Sequence, residues 1–295
     1  MSILPGAQNP GGGGGREVKG KGGPLVTPAG VARFRREIYR HYARHGRRLP
    51  WRETEDPYAI LVSEVMLQQT PVNRVLPKYG AFLESFPDFP ALEEAPLPRV
   101  LALWQGLGYS RRALALKECA GLVLYRFGGR LPEDPGELAG LPGIGPATAG
   151  AVCAFAFRRP VAFIETNIRR VFRHFFFAGV EKVRDAEILP LVARTLDRRR
   201  VREWYYALMD YGVWLKTSAL GPAAPGCGRR QAPFAGSDRQ VRGAILRTLL
   251  SHPGLTLEEI AAAVGQSRER TARLAGDLKR EGFLELSSGR WYIAG

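Results

Sequence analysis

Apolar residues recur at helical spacing along most of this chain. In "VARFRREIYRHYARHG" they fall at Val31, Phe34, Ile38 and Tyr42, the stripe of an amphipathic helix. The same period predicts helices over 57–69, 71–85, 97–105, 110–127, 146–157, 167–177, 184–197 and 200–215, with Gly and Pro marking the gaps. No convincing strand alternation precedes the C-terminal end. One helix lacks a polar face: "YAILVSEVMLQQT" (58–70) carries a single carboxylate, Glu64, among Ile60, Leu61, Val62, Val65, Met66 and Leu67. A carboxylate removed from water without a partner costs several kcal/mol or stays protonated, so Glu64 demands a purpose.

The pattern changes towards both ends. Residues 1–27, including "NPGGGGGREVKGKGG", read as a disordered, basic, Gly-rich tail. Residues 216–236 are rich in Gly, Pro and Ala and read as a linker after a helical core at 28–215. Residues 237–295 then give two short helices, a third opening at Ser267, and an alternating hairpin, "FLELSSGRWYIAG", around Ser287–Gly289. This is the layout of a winged helix-turn-helix, whose third helix enters a DNA major groove; Arg268, Arg270 and Arg273 near its start are the candidate contacts. A protein-interaction role stays open, because this segment has nine basic and seven acidic residues. The predicted class is all-α: a two-lobed helical core followed by a small α+β winged helix.

Net charge sharpens the choice of partner. At +15, with a pI near 10.2 over 295 residues, the chain favours a polyanion, nucleic acid first and an anionic membrane second. A well-solvated Arg-rich surface is the bland alternative. There is no apolar run of the roughly 20 residues that span a bilayer, and no signal-peptide core. The three cysteines, Cys119, Cys153 and Cys227, are odd in number and far apart, which suits a reducing cytoplasm rather than a disulfide framework.

The strongest local motif is "ELAGLPGIGPATAGAV" (137–152), two helices meeting at a Leu-Pro-Gly-Ile-Gly-Pro turn. Gly143 and Gly145 let backbone approach a ligand, and the following helix offers its first amides to a phosphate. This helix-hairpin-helix grips a DNA backbone through Leu141, Gly143, Gly145, Ala147 and Thr148. An ordinary glycine turn is the structural alternative. Beyond it, in "VAFIETNIRRVFRHFF", Glu165 sits at a loop-to-helix junction with Thr166 or Asn167 available as the N-cap, and capping alone would explain an acid there.

Three segments together, "LPWRETEDPYAILVSEVMLQQTPVNRVLPKYGAFLESFP", "LWQGLGYSRRALALKECA" and "LPGIGPATAGAV", resemble the MutY-type adenine DNA glycosylase branch of the helix-hairpin-helix (HhH-GPD) superfamily, from about Leu49 to Leu215. The resemblance implies a base-flipping enzyme of base excision repair that hydrolyses an N-glycosidic bond in mismatched double-stranded DNA. Adenine opposite guanine or 8-oxoguanine is the implied substrate, with thymine or uracil opposite guanine as the alternative. It implies Glu64 as the acid that protonates the leaving base, Glu165 as the carboxylate that stabilises the sugar cation, and Asn167 as a positioner of water and carboxylate. Trp51 and Arg52 match the base-pocket wall. Gln68 and Gln69 match a pair that enters the base stack and contacts the opposite base, together with Tyr109 of the "GLGYS" loop. A monomer acting at the cytoplasmic nucleoid is expected. A catalytically silent DNA-binding scaffold is the rival of another class, and retention of a costly buried Glu64 speaks against it.

The chain also departs from that family. A glutamate stands at 165 where the family has an aspartate. Ala147 occupies the position of the lysine that strand-nicking relatives use as a Schiff-base nucleophile, so the expectation is a glycosylase without lyase chemistry. Relatives hold a [4Fe–4S] cluster with four clustered cysteines after the core, whereas Cys227 is the only thiol here; no cofactor is expected, and Lys216, Arg229 and Arg230 supply positive surface instead. A winged helix replaces the Nudix-like domain that reads 8-oxoguanine, and Ser110 replaces a second tyrosine.

Overall fold

The computed structural model describes residues 27–218 and 233–295. The expected tail up to residue 26, and the stretch 219–232 with Cys227, Arg229 and Arg230, lie outside the described residues. Thr27 caps α1 (Pro28–His45) by accepting a hydrogen bond from the Gly30 amide at 3.1 Å. The chain continues through a single turn, α2 (Pro50–Glu53), into α3 (Pro57–Leu67), α4 (Val72–Ser85), α5 (Phe89–Glu94), α6 (Leu97–Trp104) and α7 (Arg111–Phe127). The hairpin helices are α8 (Pro135–Ala139) and α9 (Pro146–Ala156), followed by α10 (Thr166–Phe176), α11 (Asp185–Thr195) and α12 (Val201–Thr217).

Two apolar cores divide these helices. One gathers side chains from α2 to α9, with Trp104, Phe82 and Met66 wholly buried. The other joins α1 to α10, α11 and α12 around Phe34, Phe172 and Trp204. Helices α3 and α9 serve both: Leu61 and Val65 face the first core, while Ile60, Ala151 and Phe155 face the second. A helix with cores on two sides must be apolar nearly all round, which is why α3 lacks an amphipathic stripe.

The periodicity located the long helices within a few residues, and the differences have local causes. Helix α3 stops at Leu67 rather than 69 because Gln69 takes a left-handed conformation, φ +54°. Helix α12 runs on to Thr217, two residues into the expected linker. The short α2, α5 and α8 span too few turns to show a period. Their signal is a proline in the first turn, with Asp88 and Asp134 capping α5 and α8.

The C-terminal part comprises α13 (Asp238–Ser251), α14 (Leu257–Val264), α15 (Arg268–Arg280) and an antiparallel hairpin, β1 (Leu284–Ser287) and β2 (Arg290–Ile293). Leu284 pairs with Ile293 and Ser287 with Arg290 across a turn whose Ser288 and Gly289 both have positive φ, the geometry a two-residue hairpin requires. Leu255 bridges to Trp291 on the free edge. Val241, Ile245, Leu278 and Phe283 belong to the same apolar cluster as the first lobe. Glu281 adds an ion pair to Arg111 of α7 and another to Arg242 of α13.

Candidate active site

Glu64 comes from the middle of α3 and Glu165 from the start of α10, so the two lobes each contribute one carboxylate to a shared cleft. Glu64 is half-buried, with part of its surface still open. Its carboxyl makes no hydrogen bond among the described residues. Burial raises its pKa from 4.5 to about 8, the Glu165 charge adds to that rise, and the Arg52 guanidinium opposes it.

Glu165 is held quite differently. The sequence offered Thr166 or Asn167 as the N-cap of α10, but Glu165 itself is the cap, its Oε1 accepting from the Ile168 amide at 2.7 Å. Its Oε2 accepts from Asn167 Nδ2 at 3.1 Å. Burial still pushes its pKa up, against the pull of the Asn167 and Ile168 hydrogen bonds and the Arg170 and Arg169 charges. Asn167 is fixed in turn: its Oδ1 accepts from Arg170 Nη1 at 2.9 Å, and the same nitrogen donates to the Gly212 carbonyl at 2.8 Å. A Cβ at Gly212 would lie 2.6 Å from Asn167 Cβ, so α10 and α12 meet closely enough to require glycine there.

Arg52 lies against the cleft through Asp210 of α12, a residue the sequence reading did not single out. The Asp210 carboxylate accepts from Arg52 Nη1 and Nη2 at 2.8 and 2.9 Å, and from the Arg47 amide and Nε at 2.8 and 2.7 Å. Burial would raise its pKa, but these hydrogen bonds and charges outweigh it and hold the carboxyl below its ordinary range. The Arg52 guanidinium also sits 4.5 Å above the Tyr206 ring, whose hydroxyl senses the Glu64 charge. Trp51 is buried edge-on against Tyr79, the core placement that its residue type alone would suggest.

The end of α3 links the cleft to the hairpin. Gln68 Nε2 donates to the Gly143 carbonyl at 3.0 Å and to Thr148 Oγ1 at 3.1 Å, so in this structure Gln68 braces the hairpin. No side chain caps α9, and Gly145 and Ala147 are exposed at its start, leaving first-turn amides directed outward. Gly143 has φ +74°, and a Cβ there would lie 2.9 Å from Ala115 Cβ, so the turn needs glycine on both counts. Leu141 departs from the expected backbone-binding set. Its side chain is buried, its amide bonds Leu138 O, and its carbonyl accepts from Ile144 N.

A second residue that sequence reasoning missed is Arg112. Buried in α7, it donates from Nη1 to the carbonyls of Val65, Met66 and Gln68 at 2.7, 2.9 and 2.7 Å. From Nη2 it reaches Thr70 Oγ1 and the carbonyls of Leu107 and Gly108 at 2.9, 3.3 and 3.0 Å. One cation thus satisfies the C-terminal carbonyls of α3 and ties them to the "GLGYS" loop. Tyr109, with φ +49°, stands exposed on that loop.

The winged-helix arginines are engaged by their own domain: Arg270 and Arg273 pair with Asp238, and Arg268 with Glu258. The described cysteines do not suit a four-thiolate cluster. Cys119 and Cys153 are buried in α7 and α9, and Cys153 Sγ donates to Glu133 O at 3.4 Å. Among the described residues no cluster of His, Cys, Asp and Glu is arranged to hold a metal ion, and no helix is long and apolar enough to cross a membrane.

The geometry agrees with what comparison with known proteins finds. Residues 62–191 match the HhH-GPD superfamily of base excision DNA repair proteins, and residues 238–285 match winged helix-turn-helix DNA-binding domains. An adenine DNA glycosylase of Mycolicibacterium smegmatis is 34% identical over 276 residues, covering 85% of this chain and 93% of that protein. The chain belongs to the adenine DNA glycosylase branch of the HhH-GPD superfamily. Among solved structures, a thermostable thymine-DNA glycosylase superposes with a TM-score of 0.59 at 27% identity, over 64% of this chain and 93% of that one. An endonuclease III trapped on DNA gives 0.58 at 19% identity, over 69% and 93%, a likeness of fold.

Proposed function

We propose that this protein is a monofunctional DNA glycosylase that removes adenine opposite guanine or 8-oxoguanine from duplex DNA. The observation that carries the reading is the unequal treatment of two carboxyls in one cleft. Glu64 has no hydrogen bond to hold a charge and keeps its proton to about pH 8, whereas Glu165 accepts two hydrogen bonds that favour the anion. Glu64 gives its proton to a ring nitrogen of the flipped base as the C1′–N bond breaks and its electron pair leaves with the base. The Glu165 carboxylate stabilises the oxocarbenium-like sugar, and water held near Asn167 adds to C1′ and releases a proton. This chemistry calls for neither metal nor cluster, and three cysteines are too few for four thiolates. Ala147 offers no amine for a Schiff base, which supports hydrolysis without strand cleavage. Adenine rather than thymine follows the M. smegmatis relative, and the enzyme is expected to work as a monomer on nucleoid DNA in the cytoplasm.

The test is a panel of duplexes with single A·G, A·8-oxoG, T·G, U·G and hypoxanthine pairs, treated with protein and then with alkali. Breaks at adenine that need alkali and vanish in Glu64→Gln support the proposal. Breaks confined to T·G or U·G move the substrate to the pyrimidine alternative, and breaks without alkali overturn the monofunctional assignment. Binding without any excision leaves a silent DNA-binding scaffold.

A further inference from the structure

Helix α1 carries five arginines and a single acid, Glu37. Phe34, Ile38 and Tyr42 turn inward to the second core, and at helical spacing Arg33, Arg36, Arg40 and Arg44 fall on the opposite face, where all four are exposed. They form a row of about 16 Å, roughly half a turn of duplex DNA. Arg40 pairs with Glu37 at 3.0 Å, whereas Arg33, Arg36 and Arg44 meet no acid among the described residues. Other exposed arginines do have such partners: Arg158 pairs with Glu55, Arg159 with Glu133 and Arg184 with Glu187. The turn between α11 and α12 widens the row. Arg35 donates to the Thr195 and Leu196 carbonyls at 2.9 and 2.6 Å, and the Tyr39 hydroxyl donates to Asp197 Oδ2 at 2.9 Å. These bonds fix the turn against α1 and leave Arg198 and Arg199 exposed at its tip.

This face points away from the DNA held in the cleft. Phe34 packs edge-on against Phe172, Phe175 and Phe176 at the C-terminal end of α10, whereas Glu165 caps its N-terminal end. Just past α1, Arg47 reaches Asp210 beside the cleft. Helix α1 therefore runs from the far end of the second lobe towards the cleft, with Arg44 nearest to it and Arg33 most distant. Helix α12 packs on α9 as well as on α1, and so stands between the row and the hairpin. One duplex cannot lie on the hairpin and along the row without a sharp, costly bend. The hairpin itself, 137–152, contains no Lys or Arg and offers neutral amides. The unmatched positive charge thus lies on a surface that the lesion duplex does not cover.

We propose that the outward face of α1, with the turn at Arg198 and Arg199, binds a second segment of double-stranded DNA while the cleft and hairpin hold the first. Guanidinium groups take phosphate oxygens as forked hydrogen bonds and read no bases, so any sequence serves. An acidic polypeptide has the same sign of charge, but a protein already seated on long DNA meets other segments of that DNA at high local concentration. Two such sites let the protein pass from one segment to the next without leaving the polymer. The inference rests on the cleft and hairpin holding duplex DNA and does not depend on base excision.

The experiment compares the full chain with Arg33→Gln/Arg36→Gln/Arg40→Gln, in which glutamine preserves helix propensity, after melting curves confirm equal folding. Each protein is saturated with a short duplex carrying an uncleavable adenine analogue opposite 8-oxoguanine. A fluorescent undamaged duplex is then titrated at several salt concentrations and read by anisotropy. Wild type is expected to bind this second duplex with an affinity that falls steeply with salt, a log–log slope of about −3 or steeper. The triple variant should lose about tenfold or more in that second binding, while its affinity for the first duplex stays within about twofold. Equal second binding by both proteins, or an equal loss for both duplexes, overturns the proposal. So does polyglutamate that displaces the second duplex at a lower concentration of charge, which would make α1 a surface for an acidic protein. No readout needs turnover, so a protein that holds two duplexes and excises nothing counts against the glycosylase reading alone.

Discussion

Glu64 and Glu165 enter one cleft from different lobes, and the charge of Glu165 adds to burial in holding the Glu64 carboxyl protonated up to about pH 8. Two acids so placed are not equivalent. Glu165 is tied to the Ile168 amide and the Asn167 side chain, whereas Glu64 faces the cleft without a hydrogen bond. The proposed reaction rests on that difference, with the proton on α3 and the anion on α10, although burial raises the pKa of both carboxyls.

Replacing Glu64 with Gln should abolish excision while leaving duplex affinity within a few-fold, and it should make the protein more stable. Folding raises this carboxyl above its ordinary 4.5, so the folded state retains a proton that the unfolded chain gives up. Its contribution to stability is intact below about pH 4.5, declines as pH rises, and levels off above about 8. Glu64→Gln removes that decline and should gain about 4 kcal/mol at pH 8 and close to nothing at pH 4.5. Urea unfolding at both values checks this; a gain of equal size at each would refute the buried-acid account. For the wild type, the excision rate should fall as pH rises through about 8, where Glu64 loses its proton.

Glu165 carries two jobs that substitutions can separate. Glu165→Gln retains an oxygen for the Ile168 amide and removes the charge; Glu165→Ala removes both. Excision should drop by at least about a hundredfold in each. Only the alanine variant should also lose about 1 kcal/mol of stability, the usual cost of a missing N-cap. Single-turnover rates beside melting curves distinguish the outcomes, and near-wild-type excision by Glu165→Gln would show that no anion is needed there.

Much of this arrangement was legible in the sequence because its signals are local. A lone acid in "YAILVSEVMLQQT" marked Glu64, the Pro-Gly-Ile-Gly turn marked the hairpin, and helical periods marked the two-lobed core. The same signature also stands in "WYYALMDYGVWL", where Asp210 is the lone acid of an apolar run, and the reasoning applied to Glu64 points to it equally. Arg112 had no such mark. It is the second of two adjacent arginines, and only the folded chain shows that Arg111 faces Glu281 while Arg112 turns inward. The ion pairs of the α15 arginines were hidden for the same reason, since their partners Asp238 and Glu258 lie 10 to 35 residues away in sequence.

Asp210→Asn should act on both stability and chemistry. It leaves Arg47 and Arg52 beside a neutral group in a buried place, which typically costs about 3–5 kcal/mol. It also removes a negative charge from the Arg52 neighbourhood, so the guanidinium bears more strongly on Glu64 and lowers its pKa. The alkaline fall of the excision rate should therefore move to lower pH than in wild type. A pH–rate profile reads the shift directly; movement in the opposite direction would mean that Arg52 does not govern the Glu64 proton.

Arg112→Met tests whether the α3 terminus is assembled by one cation. The substitution keeps the apolar stem but takes its donor from the Met66 carbonyl, and one donor each from the carbonyls of Val65, Gln68, Leu107 and Gly108, which retain Gln68 N, Thr70 Oγ1 and Trp104 Nε1. An acceptor left unsatisfied costs about 1–3 kcal/mol, so a net loss of about 1–3 kcal/mol is expected. Because the same bonds set the direction of Gln68 and Gln69, the folded fraction should also bind duplex DNA more weakly, through a loosened hairpin and a displaced Tyr109 loop. Affinity measured well below the melting temperature, with folding monitored by near-UV dichroism, separates the two effects. A destabilised variant with wild-type affinity would confine Arg112 to holding the core together.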